Sequence, residues 1–81
     1  MIILSNKQLY AAVRKTAAGL DDLGMRDHAS RLRAALSVSS LPSEILGEIR
    51  LALQSIELDR LPKKTEHEIV SEITYIDSVL E

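Results

Sequence analysis

The side chains able to do chemistry in this 81-residue chain are few and widely spaced. Its two histidines, His28 and His67, would each need a carboxylate or a second ligand in register to act as a general base or to hold zinc. His67 and Glu68 open a zinc-helix pattern, but position 71, where the second histidine would stand, is Ser71. Glu66, Glu68 and Glu72 crowd the first half of the last helical segment, where a helix dipole favours negative charge, so they read as a solvated face rather than a catalytic dyad. There is no cysteine, which removes thiol nucleophiles, thiolate metal sites and disulfides together. The three glycines, Gly19, Gly24 and Gly47, stand in no phosphate-cradling pattern. The expectation is a protein that is not an enzyme and takes no cofactor and no metal.

Charge offers a different chemistry. Residues 1–40 hold six Lys or Arg against three Asp, and residues 41–81 hold four against nine acids, so a basic half is joined to an acidic half. Lys7 and Arg14 share one side of the first helical segment, and Arg26 and Arg33 share one side of the second, with Arg31 nearby. If those sides converge they make a basic ridge, and a small nucleic-acid-binding regulator is the alternative reading. The net charge of −2 and the lack of aromatic residues among the basic ones weigh against nucleic acid.

The elements that must position these residues are four helices. Ser5 and Gln8 form a capping box, and Leu4 with Leu9 has the spacing of a hydrophobic staple, which starts a helix over 6–23. Leu9, Val13, Thr16, Ala17, Leu20 and Leu23 make its apolar stripe, and Gly24 supplies the left-handed residue that ends it. Met25, Ala29, Leu32 and Leu36 mark a second helix over 26–37, entered almost without a linker. After the Ser-rich break, Pro42 suits the first turn of a third helix over 43–57. Leu61, just before Pro62, is expected to fold back as a plug. Thr65 and Glu68 form a second capping box for a helix over 66–80, whose stripe is Ile69, Ile73, Ile76 and Leu80. No segment alternates with period two over a useful length. The chain is therefore predicted to be one all-α domain, 1–81, a compact four-helix bundle-like fold of antiparallel helices with short loops.

The third helix has more apolar circumference than one core contact needs. Ile45, Leu46, Ile49, Ala52, Leu53 and Ile56 form the core stripe, while Gly47, Leu51, Gln54 and Leu58 fall on the far side. A glycine in mid-helix costs about 1 kcal/mol relative to alanine, which argues for a packing reason. Tyr75 and Val79 border the stripe of the fourth helix and give a second candidate strip. The leading reading is a small non-catalytic protein-protein interaction module that self-associates as a homodimer or binds another protein, through Gly47, Leu51, Gln54, Leu58, Tyr75 and Val79. Met1 to Leu4 is too short for a signal peptide and no apolar run approaches a membrane span, so the sequence predicts a soluble, cytoplasmic protein with no membrane partner.

Overall fold

Four helices follow from four separate start and stop signals along the chain. The computed structural model describes residues 2–81, in the order α1 (Asn6–Asp22), α2 (Arg26–Leu36), α3 (Pro42–Gln54) and α4 (Lys63–Leu80), with a single 3-10 turn, Leu58–Arg60, before α4. Each helix packs on its neighbour in sequence, and α4 returns against α1 to close the ring. Asn6 meets Tyr75 and Thr16 meets Glu72, so α1 and α4 run antiparallel. The radius of gyration is 11.5 Å, close to the roughly 12 Å expected of one compact domain this long.

The start of α1 is set largely as the sequence predicts. Ser5 is its N-cap, and the Gln8 backbone N–H donates to Ser5 Oγ at 3.2 Å. The return bond of the box reaches one residue further out: Leu4 N–H donates to Gln8 Oε1 at 2.8 Å. That bond fixes the entering chain through its backbone, and the Leu4 side chain stays exposed, so the expected staple with Leu9 does not form. At the other end, Gly24 adopts φ +79°. Met25 N–H reaches Leu20 O at 2.8 Å and Gly24 N–H reaches Asp21 O at 3.0 Å, the paired bonds of a Schellman end. Leu23 becomes the C-cap and turns outward, which removes it from the predicted stripe.

A Cβ at position 24 would meet no heavy atom within 4 Å, so the left-handed backbone is the only thing a side chain would oppose. Gly24→Ala is therefore expected to cost about 1 to 2 kcal/mol, read as a lower urea midpoint with an unchanged denaturant slope.

Two element ends differ from expectation by three residues, and three others by one. Helix α3 stops at Gln54, because the Ser55 hydroxyl donates to Ala52 O at 2.7 Å and Ile56 N–H turns back to Leu53 O in 3-10 fashion. Leu58 consequently leaves the helix and sits in the 3-10 turn, half-buried against the core. Helix α4 starts three residues early, with Pro62 as N-cap and Glu66 N–H bonded to Pro62 O at 3.0 Å. Thr65 and Glu68 are already inside the helix, so no capping box forms there.

The core is aliphatic and small. Leu9, Leu20, Leu32, Leu46, Ile49, Leu53, Ile69 and Ile76 are closed to solvent, with alanines between them. Leu61 is buried among them, as the plug reading expects. Two polar side chains lie in this interior, Thr16 on α1 and Glu72 on α4.

Candidate functional site

The outer face of α3 is built by a Ser-rich connection and a glycine. In the link between α2 and α3, Ser39 Oγ accepts the Leu41 N–H at 3.0 Å and donates to Glu44 Oε1. That pair of bonds folds the link over the first turn of α3 and leaves Val38 and Leu41 standing in solvent. Along the helix, Gly47, Leu51 and Gln54 follow at steps of four and three, opposite the buried Ile45, Ile49 and Ala52. Val38, Ser39, Glu48, Arg50 and these three line an open groove of about 600 Å³, with Glu44 at its rim.

Its floor is Gly47. A Cβ there would meet nothing within 4 Å, so no segment of the chain itself approaches closely enough to need a glycine. Along this recess Val38 is 52% exposed and Leu51 54%, two large apolar side chains on one groove of a small protein. The charges are divided along the helix. Glu44 and Glu48 lie toward its start, and Arg50 lies beyond them, held at 3.0 Å by Asp77 of α4.

The structure unites three of the six residues expected at an interface. Gly47, Leu51 and Gln54 share the groove. Leu58 does not join them, because α3 has ended before it and its side chain packs on the core. Tyr75 lies on the flank of α4 that faces α1, where its hydroxyl donates to Asn6 Oδ1 at 2.6 Å. Val79, one turn on, is half exposed on the same flank. These two belong to a different side of the molecule from Arg50 and Asp77. Val38 is the apolar member that helical periodicity does not find, since it stands in a connection rather than in a stripe.

The basic residues are spread along α1 and α2. Lys7, Arg14, Arg26 and Arg31 are exposed, but Lys7 lies near the start of α1 and Arg26 beside its end, roughly 20 Å apart along the helix axis. Arg33 is taken up by Asp21 at 2.6 Å, within the α1–α2 hairpin. His67 is exposed and His28 half-buried. Among the described residues no three His, Asp or Glu side chains come together as a metal group, and no helix is long and apolar enough to cross a membrane.

Glu72 departs most from expectation. It is 1% exposed, not solvated, and accepts the Thr16 hydroxyl on Oε2 at 2.7 Å while Oε1 has no partner. Burial pushes its pKa up from 4.5 to about 7; the Thr16 hydrogen bond works against that rise, and the Glu68 charge adds to it. The helical register carries the signal for this: Glu72 falls between Ile69 and Ile76 on the buried face, and Thr16 falls in the stripe of α1. A carboxyl titrating near neutrality would suit proton transfer, but among the described residues Glu72 lines none of the five best-formed grooves. Comparison with protein-family models, curated proteins and solved structures gives no match for this chain.

Proposed function

We propose that this protein is a small non-catalytic interaction module of the cytoplasm that associates with a second copy of itself through the outer face of α3. The observation that carries the reading is Gly47. It stands in mid-helix at a cost in helix stability, beneath open space, in a groove that exposed Val38 and Leu51 also line. A glycine with no neighbour in its own chain suits the close approach of a helix from another.

One helix face about 20 Å long, extended by Val38, is a small interface. Association in the micromolar range is the matching strength, about −8 kcal/mol at 1 μM. Gly47→Ala separates the monomer from the dimer. In dilute solution the added methyl enters open space and improves helix propensity, so stability rises by about 1 kcal/mol. At high concentration the same methyl fills the recess and weakens association about tenfold, or about 1.4 kcal/mol. Urea melts and sedimentation equilibrium on the same variant read the two effects. A stabilised variant that associates as tightly as the wild type would leave Gly47 without the role given it here.

A further inference from the structure

We propose that Glu72 is a proton-operated latch in the α1–α4 seam: with its proton on, the carboxyl stays in the core against Thr16, and with the proton released to water it swings into the groove alongside and is caught by Lys15. Both positions have a structural basis. Inside, the side chain is 1% exposed, Oε2 takes the Thr16 hydroxyl at 2.7 Å, and Oε1 meets no partner. A neutral carboxyl tolerates that enclosure, whereas a charged one with an oxygen left bare is strongly disfavoured. Outside, Glu68, one turn before Glu72, and Ser71, next to it, line a groove of about 380 Å³ together with Lys15, Lys64 and His67. Lys15 precedes Thr16 on α1, so one short stretch of backbone carries the inner partner and the outer one.

The charges around the seam single out Lys15. Of the two helices packed on α4, α1 brings Lys15 and, two turns on, Asp22 to the groove side. Helix α3 brings Arg50, which Asp77 already holds at 3.0 Å, while its Glu44 and Glu48 border the outer groove. On α4 itself Glu68 repels a charge on Glu72, and Lys64 stands two turns back, about 12 Å along the axis. Lys15 is exposed and has no ion-pair partner among the described residues, and its flexible stem can follow a carboxylate over the rim. Burial pushes the Glu72 carboxyl up to about 7, which sets the movement near neutrality. When the latch moves, the seam loses its mid-length bond and keeps the one between Tyr75 and Asn6.

The Glu72 carboxyl carbon, followed by NMR in the whole chain from about pH 5 to 9, reads the latch. In the buried position the groups acting on Glu72 are Thr16 and Glu68, so a carboxyl that stayed there would titrate alike with or without Lys15. The latch requires Lys15→Met to raise the midpoint by about one pH unit and Lys64→Met to leave it in place. Above its midpoint the wild type should gain a nuclear Overhauser contact between Glu72 and Lys15, with the Thr16 methyl shifting in step. Lys15→Met lies on the surface and keeps the fold, and His67→Gln as a common background removes the other groove side chain whose charge changes near neutrality. A midpoint that is the same in wild type and Lys15→Met, or a carboxylate that forms without meeting Lys15, overturns the latch. So does a Glu72 that titrates like an ordinary glutamate.

Discussion

Raising the pH from 5 to 8 is expected to lower the stability of this protein, by up to about 3 kcal/mol, because of Glu72 alone. Its carboxyl holds a proton up to about pH 7 in the folded state, against an ordinary value of 4.5. Between those values the folded form binds more protons than the unfolded chain, so stability falls as pH rises. The benefit is complete below about pH 4.5, is lost through about pH 7, and changes little beyond. Urea denaturation at half-unit intervals measures it directly.

Two variants identify the source. Glu72→Gln keeps an acceptor for the Thr16 hydroxyl and removes the titration, so the slope with pH should vanish whatever the absolute stability. Glu72→Met with Thr16→Val makes the α1–α4 seam wholly apolar, and should be both flat with pH and more stable than the wild type at pH 8. Thr16→Val alone strips Glu72 of its hydrogen bond to the Thr16 hydroxyl and should move the transition to higher pH. A pH slope surviving in Glu72→Gln would place its origin elsewhere.

Leu51→Glu is expected to abolish self-association, with a loss of at least a hundredfold, while leaving the fold almost unchanged. In the single chain Leu51 is more than half exposed on a helix surface, where glutamate is as good a helix former as leucine, so stability should move by no more than about 0.5 kcal/mol. In the pair the new carboxylate would be buried in the groove beside apolar Val38 and stripped of water. Leu58→Glu is a contrasting variant. Its leucine packs on the core from the 3-10 turn, so charge there destabilises the chain itself and says nothing about association.

The division between what was legible in the sequence and what was not follows the range of the interactions. Ser5 with Gln8, and Gly24 with its two returning N–H groups, act within one or two turns, and residue types alone predict them. The core stripes of α1 and α3 are equally plain, because burial repeats with the helix period. Leu58 was misplaced because one hydroxyl, Ser55, competes for a backbone carbonyl and ends the helix ahead of the apolar pattern. The second capping box failed for a similar reason: Pro62, already held outside the helix, could serve as the cap three residues sooner. Glu72 was read from its acidic neighbours Glu66 and Glu68, whereas its environment is set by Thr16, which lies far away in sequence on another helix. At the candidate surface Gly47, Leu51 and Gln54 came from periodicity, and Val38 came only from how Ser39 folds the link.

The glycine-floored face of α3 is the feature on which the account stands, and the mass of the protein in solution tests it most directly. Sedimentation velocity over about 1 to 500 μM should show the wild type passing from monomer to dimer, with Leu51→Glu remaining monomeric throughout at equal helicity. A wild type that sediments as a monomer across that range, indistinguishable from Leu51→Glu, would contradict it.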